Sequence, residues 1–150
     1  MKTITGNLIE LAQDNYFDVI IHCCNCFCTM GAGIAKAIKD VFPEAYEADL
    51  LTQKGDRSKL GTISVAQVTR NDHTIYIVNA YSQYHYSSVT TQADYAAIRS
   101  AMVQIKKQFS NKKIGYPKIG AGLAGGDWQI IASIIDEELA GEDHCLVVLP

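Results

Sequence analysis

Apolar strands that alternate with helices constrain the fold of this chain more than any other feature. Residues 18–25 and 74–80 are apolar almost throughout, as in strands that are buried on both faces of a sheet. Helices are predicted in four segments, residues 33–41, 44–51, 91–109 and 128–139. This alternation predicts an α/β fold with three layers, in which helices cover both faces of a mixed, largely parallel sheet. At 150 residues, one domain is expected.

Two glycine-rich turns each follow an apolar strand and open a helix. The first reads Met30-Gly31-Ala32-Gly33-Ile34-Ala35, and the second reads Ile119-Gly120-Ala121-Gly122-Leu123-Ala124-Gly125-Gly126. Glycine lets the backbone approach a ligand closely, and the start of a helix presents free N–H groups and the positive end of its dipole. Because the carboxyl ends of parallel strands share one edge of a sheet, both turns are expected at one rim. The pair therefore predicts a ligand with two phosphates held between two loops.

Known phosphate-binding motifs do not account for these turns. No Gly-Lys-Ser/Thr closes the first turn, so it is not a Walker-type loop. It also lacks the third glycine of the dinucleotide fingerprint, and no acidic residue ends a strand about twenty positions later. The residues alone thus indicate a small α/β domain that binds a phosphorylated, nucleotide-like ligand.

Composition limits the other partners. The formal net charge is −3 and no basic stripe occurs, so strong binding to nucleic acid is not expected. No apolar run is long enough to cross a membrane, and the N-terminus lacks a signal-peptide core. Together with an odd number of cysteines, five, this predicts a cytoplasmic protein with reduced thiols.

Four of the cysteines lie close together, at positions 23, 24, 26 and 28. A zinc site needs ligand pairs that converge on one ion, whereas these thiols alternate across a strand end. We therefore expect small buried residues that pack under a loop, and neither a metal nor another cofactor.

Both turns and their flanks resemble the signatures of macro domains, which bind ADP-ribose. His22-Cys23-Cys24-Asn25-Cys26 leading into the first turn is similar to the first signature, and Pro117-x-Ile119-Gly120-Ala121-Gly122-Leu123 with Trp128 is similar to the second. Gly6-Asn7-Leu8 stands where many macro domains have Gly-Asp-Ile or Gly-Asp-Leu. The resemblance covers nearly the whole chain and is nearest to a bacterial, phage and yeast-type branch that processes ADP-ribose 1″-phosphate.

The resemblance implies a set of ligand-binding residues. Asn25 is expected at the distal ribose hydroxyls, and Asn7, with Leu8 beside it, at the adenine, where relatives have aspartate. The backbone N–H groups of one turn would hold one side of the diphosphate, namely Gly31, Ala32, Gly33 and Ile34. The other turn would hold the opposite side with Gly120, Ala121, Gly122, Leu123 and Ala124.

Catalytic candidates follow from the same resemblance. Ile21-His22-Cys23-Cys24-Asn25 is similar to the Ile-His-x-Cys-Asn of the yeast-type phosphatases, which pair their histidine with an aspartate; Asp72 is the candidate by position. The histidine would act as nucleophile or general acid. The alternative for His22 is a core histidine that is hydrogen-bonded within its strand. Asp127 is expected as a helix cap with catalysis as its alternative, and His85 as a solvated loop residue that could reach a terminal phosphate.

These observations predict a metal-independent phosphatase that hydrolyses ADP-ribose 1″-phosphate to ADP-ribose and phosphate. One alternative is a non-catalytic reader of ADP-ribose. Another is a hydrolase that removes ADP-ribose from protein or nucleic acid. One such branch uses a lysine after the middle strand and an aspartate in the second loop. In this chain Ala80 or Tyr81 stands at the position of the lysine, and Ala124 stands at the position of the aspartate.

Overall fold

Six strands and five α-helices are found in the described part of the chain, and the last four helices correspond to the four predicted helices. The computed structural model describes residues 1–86, 93–122 and 124–150. The elements are β1 (Lys2–Thr5), α1 (Leu8–Gln13), β2 (Val19–Cys24), α2 (Gly33–Val41), α3 (Pro43–Leu50), β3 (Ile63–Arg70), β4 (His73–Tyr81), α4 (Tyr95–Phe109), β5 (Lys113–Tyr116), α5 (Trp128–Glu138) and β6 (Asp143–Val148).

The strands form one mixed sheet in the order β1-β6-β5-β2-β4-β3. Every neighbouring pair is parallel except β3 and β4, which are antiparallel. Alternating side chains of β2 enter two different cores: Val19 and Ile21 pack with α4 and α5, whereas Ile20 packs with α1, α2 and α3. The predicted three-layer α/β/α architecture is confirmed.

Two predicted boundaries are wrong. The long helix begins at Tyr95 rather than after Thr91, because the side chain of Asp94 accepts a hydrogen bond from the Ala97 N–H and caps the helix. Thr91 itself lies outside the described residues. Alternating apolar residues predict a strand over residues 61–68, with Ile63 and Val65 on one side. The strand spans Ile63–Arg70 instead, because Gly61 has φ +80° and precedes the extended segment.

A tight hairpin joins β3 and β4. Arg70 pairs with His73, and the two residues between them, Asn71 and Asp72, have φ values of 51° and 66°. Two left-handed residues make the type I′ turn that suits the twist of a hairpin, and Asn and Asp tolerate it better than most residues. Because the turn directly precedes β4, Asp72 lies at the amino end of β4, and the carboxyl end of that strand lies at the opposite side of the sheet.

Candidate functional site

A cavity of about 410 Å³ opens at the carboxyl ends of β2, β4 and β5. Its volume lies within the usual range of small-molecule sites. Both glycine turns reach it, as predicted from strand order. The described lining comprises Cys23, Cys24, Asn25, Thr29, Gly31, Ala32, Gly33, Ile34, Ala35, Gln83, Tyr86, Pro117, Lys118, Ile119, Gly120, Gly122 and Ala124.

The first turn presents backbone N–H groups that have no partner among the described residues. The groups concerned are those of Gly31, Ala32, Gly33 and Ile34. The first N–H groups of a helix lack intrahelical acceptors, and the N-cap of α2, Ala32, has no side chain that could accept from them. All four residues line the cavity. An anion in the cavity would find these donors together with the positive end of the helix dipole.

The second turn faces the first across the cavity. It is closed by two internal hydrogen bonds, from Gly126 N to Gly120 O (2.7 Å) and from Gly125 N to Gly122 O (3.1 Å). The N–H groups of Gly120 and Gly122 donate to no described residue. A Cβ added at Gly122 would meet no atom of the described residues within 4 Å apart from its chain neighbours, and the same holds for Gly31. Packing against the described residues therefore does not require glycine at either position, but a closely approaching ligand would.

Asn25 holds the segment that leads into the first turn. Its Oδ1 accepts from Phe27 N (2.8 Å), and its Nδ2 donates to Thr29 Oγ1 (2.7 Å) and Thr29 O (3.3 Å). Both amide hydrogens are thus in use, while Oδ1 retains a second lone pair. Asn25 can therefore meet a ribose hydroxyl as an acceptor. The buried Lys59 supports the same segment, since its Nζ donates to Cys26 O at 3.1 Å.

Four predicted ligand residues are not found in the described lining. Asn7 caps α1, and its Oδ1 accepts from Ile9 N (3.0 Å) and Glu10 N (3.1 Å), so the oxygen expected to meet the adenine already has two donors. Leu8 is buried in the core, and Ala121 packs against the core beside α5. Leu123 lies outside the described residues.

His22 is a core histidine, so the structure supports the alternative to the catalytic role. Its side chain is 0% exposed and is absent from the cavity lining, and burial lowers its pKa to about 4. Asn79 donates through Nδ2 to Ala45 O and Ser64 Oγ, so its Oδ1 must accept from His22 Nε2, at 2.6 Å. His22 is therefore neutral, with Nδ1 unprotonated. Cys24, which lines the cavity, has its Sγ 3.7 Å from Nε2 and 3.9 Å from Nδ1 of His22.

Asp72 does not reach His22, and the expectation that the two act together is wrong. His22 lies beside Asn79 in the sheet, and Asp72 precedes Asn79 by seven residues along β4. At roughly 3.3 Å per residue, the two positions are about 23 Å apart.

The remaining two catalytic candidates also have structural roles. Asp127 caps α5 by accepting from Gln129 N at 2.9 Å, as its first interpretation predicted, and it does not line the cavity. His85 stacks on Tyr86 at 4.3 Å and meets the edge of Phe27 at 5.1 Å. It contributes to an aromatic cluster beside the cavity, whereas Tyr86 is the member that lines it.

Three of the four clustered cysteines are buried as predicted, whereas Cys23 is half-buried and lines the cavity. Cys24 and Cys26 are buried in a small cluster with Tyr81 below the first turn, and Cys28 is buried nearby. Burial raises the pKa of the Cys23 thiol to about 12, and burial together with the charge of Asp49 raises that of Cys24 well above its usual range. The two thiols that line the cavity are therefore uncharged near neutral pH.

Sequence reasoning missed about half of the lining. The additional residues are Cys23, Cys24, Thr29, Ala35, Gln83, Tyr86, Pro117, Lys118 and Ile119. Most of them directly follow or end β2, β4 or β5, so the rule that ligands bind at the carboxyl ends of parallel strands could have identified them.

A second, larger cavity of about 800 Å³ lies between α4 and α5. Its described lining contains no residue of either glycine turn. Its lining includes Tyr95, Arg99, Asp127 and Ile130, and Arg99 is paired with Glu137 and Glu138.

In the part of the chain that is described, no helix combines the length and apolar character needed to span a membrane.

The fold and the cavity define an α/β protein in which two glycine turns present unpaired backbone N–H groups to one cavity. Comparison with known proteins identifies the family: a model of the Macro domain family matches residues 21–135. The chain belongs to the macro domain family.

Relatives and a solved structure agree with this identification. The chain is 36% identical over 141 residues to an uncharacterized 17.5 kDa protein from the tk-vs intergenic region of Enterobacteria phage T4, covering 91% of this chain and 88% of the relative. It is 27% identical over 148 residues to the ADP-ribose glycohydrolase OARD1 of Bos taurus, covering 97% and 88%. The structure of Thermosipho africanus DarTG in complex with ADP-ribose matches with a TM-score of 0.74 and 17% identity, covering 100% of this chain and 42% of that one. Of these proteins, the Thermosipho africanus structure holds ADP-ribose and the bovine relative is an ADP-ribose glycohydrolase.

Proposed function

We propose that this chain binds the ADP-ribose moiety in the cavity between the glycine turns and hydrolyses ADP-ribose 1″-phosphate to ADP-ribose and phosphate. The observation that carries the proposal is the pair of opposed turns, whose unpaired N–H groups suit the diphosphate of such a ligand. Asn25, at the end of β2, offers its remaining lone pair to the distal ribose.

The reaction requires water to attack phosphorus while the bond from phosphorus to O1″ breaks and the ribose oxygen gains a proton. Phosphoryl transfer depends mainly on positioning and on stabilising charge on the phosphoryl oxygens. Donors at the start of α2 supply such stabilisation without a proton transfer of their own. His22 is not assigned a role in this step, because it does not line the cavity.

Removal of ADP-ribose from macromolecules is the second candidate, and the bovine relative's name favours it. Against it stands the absence of the lysine and aspartate that one such branch uses, since Ala124 and Ala80 or Tyr81 stand at those places. Neither alanine carries a group that can transfer a proton, and the Tyr81 hydroxyl is buried, donates to Asp49 Oδ1 and does not line the cavity.

Three substrates separate the possibilities: ADP-ribose 1″-phosphate, ADP-ribosylated protein and ADP-ribosylated DNA. We expect phosphate release from the first only. A Gly31→Val variant, with a side chain projecting into the cavity, is the control that assigns any activity to this site. Binding of ADP-ribose without turnover would identify a reader, release of ADP-ribose from a macromolecule would favour the second candidate, and failure to bind ADP-ribose would overturn the proposal.

A further inference from the structure

Lys118 is the only charged residue in the described lining of the cavity. It follows β5, between Pro117 and the buried Ile119, and its carbonyl accepts from Ala121 N at 3.3 Å. No described residue forms a hydrogen bond or an ion pair with its ammonium group. By contrast, the exposed Lys2 and Lys36 are each paired with an aspartate, at 2.8 Å and 3.0 Å.

The surroundings of Lys118 leave its charge uncompensated. The chain carries 16 acidic and 13 basic residues, yet no carboxylate lines the described cavity. The thiols of Cys23 and Cys24 are neutral near pH 7, because their pKa values are raised by burial. The cavity of an acidic protein is therefore locally positive, and its backbone N–H donors point to the same preference for anions.

We propose that Lys118 pairs with a phosphate of the bound ligand and thereby makes the cavity selective for phosphorylated ligands over neutral nucleosides. The inference rests on the proposed binding of ADP-ribose and adds a residue that determines its specificity. The backbone N–H groups of the glycine turns favour an anion but are neutral. The ammonium group of Lys118 adds a full positive charge. Because Lys118 is an exposed residue, the effect of its charge is screened by salt.

The test compares Lys118→Met, Lys118→Arg and Lys112→Met by calorimetry. Lys112 is exposed and has no described side-chain partner, and it precedes β5, so Lys112→Met makes the same charge change at the opposite edge of the sheet. We expect Lys118→Met to weaken ADP-ribose binding about tenfold in 50 mM NaCl and less in 500 mM NaCl. Lys118→Arg and Lys112→Met should remain within about threefold of the wild type, and adenosine binding should not change.

Two ligands identify the phosphate. A loss shared by ADP and ADP-ribose 1″-phosphate would assign Lys118 to the diphosphate, as the loss expected for ADP-ribose requires. A loss confined to ADP-ribose 1″-phosphate would contradict that expectation and assign Lys118 to the 1″-phosphate instead. Equal affinities of Lys118→Met and Lys112→Met for all these ligands would overturn the inference while leaving the binding proposal intact. Absence of ADP-ribose binding by the wild type would instead defeat the proposed function.

Discussion

A methyl group added at Gly122, in the second glycine turn, should weaken ligand binding without destabilising the fold. In Gly122→Ala, the new Cβ meets no atom of the described residues within 4 Å apart from its chain neighbours, and the φ of Gly122 is outside the left-handed region that favours glycine. The methyl projects where the ligand would approach. A hydrogen bond from the backbone to a charged phosphate contributes about 1.5–3 kcal/mol, so losing one raises the Kd for ADP-ribose by roughly 10- to 150-fold.

Gly126→Ala, in the same turn, is the matched variant for folding. Its Cβ would lie 2.7 Å from Gly120 O and 2.8 Å from Ile131 Cδ1, and backbone cannot yield as a flexible side chain can. We expect this variant to lose about 1–3 kcal/mol of unfolding free energy, against a change within about 0.5 kcal/mol for Gly122→Ala. Urea unfolding and calorimetry with ADP-ribose measure the two effects. Wild-type affinity in a folded Gly122→Ala variant would refute the placement of the ligand.

Three further substitutions test the roles assigned to the predicted catalytic residues. Because the pKa of His22 is lowered from 6.5 to about 4 in the fold, its stabilising contribution is present above pH 6.5 and is lost as the pH falls towards 4. Measured by urea unfolding over this pH range, the free energy of unfolding of the wild type should fall by about 3 kcal/mol more than that of His22→Gln. Equal losses would contradict the buried neutral histidine. Asp72→Ala should leave the Kd for ADP-ribose and any phosphate release unchanged, whereas loss of activity in a folded variant would restore the pairing with His22. Asp127→Ala should cost about 1 kcal/mol of unfolding free energy through the lost cap, with unchanged ligand affinity; a large loss of turnover alone would favour its catalytic alternative.

The parts of this protein that follow from local pattern could be predicted from the sequence. Helix α2 spans Gly33–Val41 as its periodicity predicts, and the two glycine turns meet because parallel strands place their carboxyl ends at one edge. The hairpin turn was also within reach of the sequence, since Asn71-Asp72 between two strand-like segments is a typical signal for two left-handed residues.

Side-chain roles that depend on distant partners could not be predicted in this way. His22 is fixed by Asn79, which lies 57 residues further along the chain, and no local pattern shows that the two strands are neighbours. Asn7 was expected to offer its oxygen to a ligand, but the first turn of α1 uses that oxygen. A polar side chain near a site is therefore assigned reliably only after its hydrogen-bond partners are known.

An amide titration with ADP-ribose, followed by ¹⁵N–¹H NMR, tests the central claim most directly. If the two turns enclose the diphosphate, the largest shifts will occur at the N–H groups of Gly31, Ala32, Gly33, Gly120 and Gly122, while Asn71 and Asp72 in the hairpin turn remain unchanged. Shifts confined to one turn, or to residues that line the second cavity between α4 and α5, would contradict a ligand held between the two glycine turns.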